Sequence, residues 1–135
     1  MHVYAAPTYI KRYGLPKSAE ELDSHKVIVY GEEIRPPVPD TNWLLRLGIK
    51  GEDRRRPSLT VNNVYAIQRA AEAGLGLAAL PEFMVLGSSS LVRVLPEVEG
   101  PRIDAYFVYP EELRNSKRIQ VFRDFLLRKV AEGEH

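Results

Sequence analysis

The sequence predicts an α/β fold with a mixed, mostly parallel sheet flanked by helices, and three adjacent segments carry this prediction. Leu59–Val61 is a short run of apolar and β-branched residues, and Val64 to Gly74 repeats apolar residues at helical spacing. Leu75–Leu80 is continuously apolar, which is typical of a strand buried on both faces of a parallel sheet. Strand, helix and strand in this order predict a βαβ unit with a right-handed crossover.

The ends of the central helix are marked by residues that commonly begin and end helices. Asn62 and Asn63 precede it, and an Asn side chain accepts well from a free N–H of the first turn. Gly74 stands where a left-handed residue ends a helix, and Pro81 ends the following strand. One apolar helix face is then formed by Val64, Ile67, Ala70 and Ala71.

The chain before this unit begins with a predicted strand and a short helix. His2–Ala6 has strand character, and Pro7–Tyr13 is predicted as one or two helical turns. Proline suits the first helical position because its missing N–H is not needed there, and Gly14 ends the helix.

A second short helix and a second strand follow. Ser18 and Glu21 have the spacing of a capping box, and Val27–Tyr30 is a β-branched strand. The segment between Gly31 and Pro57 is predicted to be irregular because it is rich in proline, with Trp43–Leu45 as its hydrophobic anchor.

Five shorter elements are expected after the central unit. Glu82–Leu86 is predicted as a short helix and Gly87–Ser90 as a loop. Leu91–Leu95 alternates as an edge strand does, and Glu97–Arg102 is a turn. Ile103–Tyr109, rich in Tyr, Phe and Val, is predicted to be a further strand.

The last helix has the clearest pattern. Ser116 is positioned to cap it, and a wide apolar stripe follows at helical spacing. The stripe consists of Ile119, Phe122, Phe125, Leu126 and Val130.

The composition is that of an ordinary globular domain, with 135 residues, 44% hydrophobic and 27% charged. A formal charge of +1 gives no support to nucleic-acid binding by this chain. The absence of cysteine excludes disulfides, thiolate metal sites and Cys nucleophiles. Apolar runs too short for a bilayer and the lack of a signal sequence lead us to expect a cytoplasmic protein without membrane contact.

No catalytic site, metal site or cofactor is predicted. The histidines are scattered and have no acidic or thiol partner at ligand spacing, and the serines after Gly87 lack the G-x-S-x-G setting. Gly74 and Gly76 follow a helix, whereas a dinucleotide fingerprint precedes one. The paired glutamates fit helix caps and solvated faces better than a carboxylate dyad.

Two features of the irregular segment have alternative interpretations. Arg54–Arg56 is predicted to lie in an exposed loop, with phosphate binding as the alternative. Trp43 is interpreted as a hydrophobic plug on one side of the sheet, with a lid over a pocket as the alternative.

The start of the central helix is the remaining candidate site. Free N–H groups and the helix dipole at Asn62, Asn63 and Val64 favour a small carboxylate. The alternative is that Asn63 only caps its own helix, and both hold if one Asn caps while its neighbour faces a ligand.

The order of several short motifs resembles the C-terminal portion of LysR-type transcriptional regulators, over nearly the whole chain. The longest matching segment is AAEAGLGLAALP, residues 70–81, preceded by VNN at 61–63. The other matching segments are VYAAPTYI (3–10), GLP (14–16), EEL (20–22), His25, LVRVL (91–95), VYP (108–110), SKR (116–118) and FRDFL (122–126).

This resemblance implies the second lobe of a periplasmic-binding-protein-like (type 2) effector domain. Val3–Ala6 and Tyr106–Tyr109 would be hinge strands within a lobe of residues 1–110, and residues 111–135 would be a closing helix that returns to the first lobe. A small, anionic effector would bind between the lobes and modulate a DNA-bound homo-oligomer. The residues predicted to bind it are Val61, Asn62, Asn63, Val64, Ala6 and Pro7.

The similarity does not extend to the winged helix-turn-helix, its linker helix or most of the first lobe. DNA contact is therefore expected only through the missing helix-turn-helix, and the chain is interpreted as an expressed fragment or a truncated gene product. The exposed stripe of the last helix is expected to fold back onto the sheet or to pair with a second copy. The alternative function is a stand-alone module for small-molecule binding or protein interaction, and an enzyme is not expected.

Overall fold

The computed structural model describes residues 1–31, 40–87 and 90–133, which divide into a unit of Met1–Ile103 and a second unit that begins at Asp104. The strands of the first unit are β1 (His2–Ala5), β2 (Val27–Tyr30), β3 (Leu59–Val61), β4 (Leu77–Leu80) and β5 (Val92–Val94). Its helices are α1 (Pro7–Tyr13), α2 (Val64–Glu72) and α3 (Glu82–Val85), with 3₁₀ turns at Glu20–Ser24 and Trp43–Leu45.

The five strands form one mixed sheet in the order β3-β2-β4-β1-β5. Strand β2 pairs in parallel with both β3 and β4, with Ile28 opposite Leu59 and Ala78. Strand β1 runs antiparallel to β4 and to β5. All residues of β2 and β4 are buried, which explains why these strands lack polar alternation. The predicted α/β architecture and βαβ unit are confirmed.

Helix α2 has the predicted caps. The side chain of Asn63 accepts a hydrogen bond from the Ala66 N–H at 2.7 Å, and Gly74 has a φ of 74°. The N–H of Gly74 bonds to Ala71, and the N–H of Leu75 bonds to Ala70, which together form a Schellman motif. Leu75 therefore belongs to the helix end and is half exposed, so the strand begins at Leu77 rather than at the predicted Leu75.

The hydrophobic core lies on both faces of the sheet. Ile67 and Ala71 of α2 are buried, as are Tyr9 of α1 and Leu22 of the first 3₁₀ turn. Leu44 is also buried, which confirms Trp43–Leu45 as an anchor of the irregular segment. Pro36, Pro37 and Pro39 of that segment lie outside the described residues, as do Ser88, Ser89 and His135.

The capping box predicted at Ser18 is wrong. The turn that follows is a 3₁₀ helix whose N-cap is Ala19, and a hydrogen bond from Ser18 lowers the pKa of Glu20 instead. The carboxylate of Glu21 accepts from the backbone N–H of Lys17 at 2.8 Å. A 3₁₀ turn is wound more tightly than an α-helix, so the backbone N–H of Glu21 is not presented to the Ser18 side chain as a capping box requires.

The strand predicted at Ile103–Tyr109 is also wrong, because no residue of this range is in a strand. The exposed Tyr106 and Val108 have strand-forming side chains. Such propensity reflects packing on a pleated surface, and a segment needs a neighbouring strand to express it.

The hinge role that the resemblance implies for Val3–Ala6 and Tyr106–Tyr109 stays a prediction. Val3–Ala5 lies inside the sheet and pairs on both sides. Met1 lies beside the segment at Gly100 and Pro101. The Met1 carbonyl accepts from the Gly100 N–H at 3.1 Å, and the Met1 amino group donates to the Pro101 carbonyl at 3.0 Å.

The second unit contains a 3₁₀ turn, Glu111–Leu113, and α4 (Lys117–Gly133), which begins after Ser116 as predicted. Phe122, Phe125 and Val130 of the predicted stripe are exposed, while Ile119 and Leu126 are partly buried. Among the residues that the structure describes, no helix has both the length and the apolar character needed to cross a bilayer.

Candidate ligand-binding site

A groove of about 920 Å³ runs along β3, from the segment that enters this strand to the carboxyl ends of β2 and β3. In open α/β sheets this edge is where ligands bind. Gly31 follows β2 and Asn62 follows β3, so both loops reach the groove because the two strands are parallel neighbours. The other lining residues are Val29, Leu45, Arg54, Arg55, Arg56, Pro57, Thr60, Val61 and Ala66.

The two asparagines have different roles in the structure. Asn63 caps α2 through its side-chain oxygen, and its side-chain nitrogen donates to the Asn62 oxygen at 3.1 Å. Asn62 lines the groove, and Val61 lies beside it. Asn63 and Val64 are outside the groove lining and form the first turn of α2. The structure thus brings Val61 and Asn62 together in the groove lining. Asn63 lies outside the lining and orients the Asn62 side chain through their hydrogen bond.

Ala6 and Pro7 lie at the opposite edge of the sheet. The register places His2 opposite Leu80, so the start of β1 lies at the carboxyl end of β4. Because β1 runs antiparallel, Ala6 emerges at the amino ends of β2 and β4. The structure therefore does not bring Ala6 and Pro7 together with Asn62.

The prediction that all of Arg54–Arg56 is exposed is wrong for Arg55, which is buried. Its guanidinium donates to the carboxylate of Asp23 from Nε at 3.0 Å and from Nη2 at 2.7 Å. It also donates to the backbone carbonyls of Leu44 and Leu47. A buried cation is tolerated when paired and hydrogen-bonded in this way, and here it ties the irregular segment to the first 3₁₀ turn.

Arg54 and Arg56 are exposed and line the groove on either side of the buried Arg55. Among the residues that the structure describes, the groove lining contains three arginines and no carboxylate, and the charge of Arg55 is balanced by Asp23. The exposed Arg56 therefore brings a positive charge to this wall of the groove. In an extended segment, successive side chains point to opposite sides. This alternation is the sequence signal that separates the buried Arg55 from the exposed Arg54 and Arg56.

A second polar cluster lies near the start of β2. The Tyr9 hydroxyl accepts from the Lys26 backbone N–H at 2.9 Å and lies 3.0 Å from His25 Nδ1. Because the Tyr9 oxygen accepts from the Lys26 N–H, its own hydrogen can be donated to Nδ1 of His25. A ring nitrogen that accepts a hydrogen bond belongs to a neutral imidazole. Burial lowers the pKa of His25 and raises the pKa of Tyr9. These bonds join α1 to the start of β2.

Trp43 behaves as a plug. Its ring lies so close to Gly100 that a side chain at position 100 would collide with it, and Trp43 is half-buried. Trp43 does not line the groove. Across residues 1–31, 40–87 and 90–133, the side chains of His, Cys, Asp and Glu form no group of three or more that is suited to a metal ion.

The sequence also matches a known family. The family model described as the LysR substrate binding domain covers residues 1–131. The chain belongs to this family. It is therefore an effector-binding domain of the LysR type, as the resemblance implied.

The relatives of this LysR-type domain are bacterial transcriptional regulators. It is 29% identical over 134 residues to the uncharacterised HTH-type transcriptional regulator YhjC of Escherichia coli, covering 90% of this chain and 42% of that protein. It is 31% identical over 129 residues to the HTH-type transcriptional activator TtdR of Escherichia coli, covering 90% and 39%. The LysR-type chain thus spans about two fifths of the length of these relatives.

Solved regulatory domains share the fold of the LysR-type chain. The regulatory domain of CrgA, a LysR-type regulator from Neisseria meningitidis, superposes with a TM-score of 0.71 and 24% identity, covering 95% of this chain and 63% of that one. The regulatory domain of an AphB variant from Vibrio vulnificus gives a TM-score of 0.63 and 22% identity, covering 94% and 64%.

Proposed function

We propose that the groove at the carboxyl ends of β2 and β3 is this chain's share of the effector site of a LysR-type transcriptional regulator. The proposed effector is a small anionic molecule. The observation that carries the proposal is the lining itself, which among the described residues joins Asn62 and Ala66 of α2 to the exposed Arg56 and includes no carboxylate.

The chemistry of this corner favours an acidic group. The nine-residue helix α2 contributes Ala66 of its first turn to the lining, and an anion near the start of a helix is stabilised by the helix dipole. The amide of Asn62 adds a hydrogen-bond donor, and its orientation is supported by Asn63. Ala6 and Pro7 lie at the other end of the strands and do not line this groove. Their contact with the effector stays a prediction.

The regulatory part of the proposal concerns the whole protein. The relatives are HTH-type regulators of which this chain spans about two fifths, so we propose that DNA contact resides in a helix-turn-helix outside this sequence. Residues 1–110 would serve as the second lobe and the helix within 111–135 as the element that returns to the first. Effector binding would then change how a homo-oligomer holds DNA.

The test is an NMR titration of this 135-residue chain with succinate as the acidic probe. Succinate is expected to shift the signals of Thr60, Val61 and Asn62. Replacing Asn62 or Asn63 by Ala should weaken binding by about 1–2 kcal/mol, since a hydrogen bond to a charged group, or the residue that orients it, is lost. Asn115→Ala, an exposed asparagine of the second unit, is the matched control. Unchanged affinity in both the Asn62 and the Asn63 variant would remove this site.

A further inference from the structure

Arg56 differs from its two neighbours in ways that give it a distinct role in the groove. We propose that Arg56 determines specificity by binding a second acidic group, so that the groove selects dianionic ligands over monoanionic ones of the same shape. This inference rests on the proposed function and names the ligand class more narrowly.

The backbone on both sides of Arg56 is fixed. The N–H of Arg55 donates to the Leu45 carbonyl at 2.9 Å, and the N–H of Ser58 donates to the Val27 carbonyl at 2.9 Å. The buried side chain of Arg55 adds its bonds to Asp23, Leu44 and Leu47. Arg56 therefore starts from a rigid position at the groove, and a preorganised position reduces the entropy lost when a ligand binds.

The charge of Arg56 is available to a ligand. Its side chain is exposed and lines the groove. In the described parts of the chain, no carboxylate lies within ion-pair distance of it, whereas Arg55 is paired with Asp23. A guanidinium binds a carboxylate or phosphate through two parallel hydrogen bonds, which a neutral amide of the ligand cannot replace.

Arg56 and Asn62 reach the groove from opposite ends of β3. Asn62 and the positive end of α2 lie after β3, whereas Arg56 lies before β3 on the segment that enters it. Thr60 and Val61 of β3 line the groove between these positions in the sequence. A ligand with one acidic group satisfies the Asn62 end alone, and a second acidic group is needed to engage Arg56.

The experiment compares succinate with succinamate, which has nearly the same shape but a single negative charge, by NMR titration of the 135-residue chain. The wild-type chain should bind succinate about tenfold more tightly than succinamate. Arg56→Gln should remove this preference by weakening succinate about tenfold, while succinamate binding stays within about twofold. Arg46→Gln is the matched control, because Arg46 is exposed and does not line the groove.

The outcomes separate this inference from the proposed function. If succinate shifts Asn62 but Arg56→Gln weakens both probes equally, or neither, the role of Arg56 is overturned while the site stands. If no probe shifts Thr60 or Asn62 up to about 50 mM, both proposals fail. Arg56→Lys keeps the charge without the paired geometry, and an affinity between those of wild type and Arg56→Gln would support the bidentate contact.

Discussion

The guanidinium of Arg55 lies 2.7 Å from a carboxylate oxygen of Asp23, which is 32 residues earlier in the chain. The arginine side chain is buried, whereas the aspartate is largely exposed. The contact joins the segment that carries the groove arginines to the first 3₁₀ turn. The shape of one wall of the groove therefore depends on an interaction between segments far apart in sequence.

Arg55→Met is expected to destabilise the chain by about 3 kcal/mol, because the carbonyls of Leu44 and Leu47 lose their donor in a buried position. Urea unfolding followed by circular dichroism measures the change. Arg46→Met is the control and should change stability by no more than about 0.5 kcal/mol, because Arg46 is exposed. A loss equal to that of the control would show that the buried network contributes nothing.

Gly76→Ala is expected to cost about 2 kcal/mol, because the new Cβ would lie 2.7 Å from the backbone oxygen of Lys26. That oxygen accepts the Leu77 N–H at 2.8 Å, so it cannot move away freely. Gly51→Ala is the comparison: Gly51 has a φ of 81° and open space around it, so only the backbone cost of about 1 kcal/mol applies. Thermal unfolding of both variants tests the difference, and a smaller loss at Gly76 would contradict it.

The stability of the chain is expected to fall as the pH drops below about 6.5, the pKa of an unfolded histidine. Burial lowers the pKa of His25 in the folded state, so below that pH the unfolded chain binds more protons than the folded one. The stabilising contribution is complete above about 6.5 and is lost as the pH falls toward the native pKa. Urea midpoints between about pH 5 and 8 measure it.

The control for this pH dependence is His25→Gln, which cannot titrate. Burial also lowers the pKa of His2, and this variant keeps that contribution. The difference between the two curves therefore isolates His25, whose immediate partners are Tyr9 and the nearby charge of Glu21. Identical curves for wild type and variant would contradict the prediction.

The exposed apolar face of α4 is expected to bind an apolar dye or to drive self-association. Phe122 is 51% exposed and Phe125 is 43% exposed, which is unusual for large apolar side chains of one helix. The double variant Phe122→Ser, Phe125→Ser should reduce dye fluorescence and shift the mass measured by light scattering toward the monomer. A wild-type chain that is monomeric and binds no dye would exclude pairing with a second copy.

Most of the elements were predictable because local signals in the sequence coincide with the packing. Gly74 is an example: its left-handed conformation ends α2 whatever surrounds it. Prediction failed where pairing decides structure, as at Tyr106 and Val108, which have strand-forming side chains but are not in a strand. Prediction also failed at Ser18, because a 3₁₀ turn forms where the sequence predicted the start of an α-helix.

The residues of the candidate site likewise fall into those that local sequence signals predict and those that only the tertiary structure places. The sequence by itself determined that Asn63 begins α2 and that β2 and β4 are buried, since capping and hydrophobic runs act over a few residues. Only the tertiary structure decided which arginine is buried, and that Ala6 lies at the far edge of the sheet from Asn62. Strand order, strand direction and a bond across 32 residues have no signature in any local stretch of the chain.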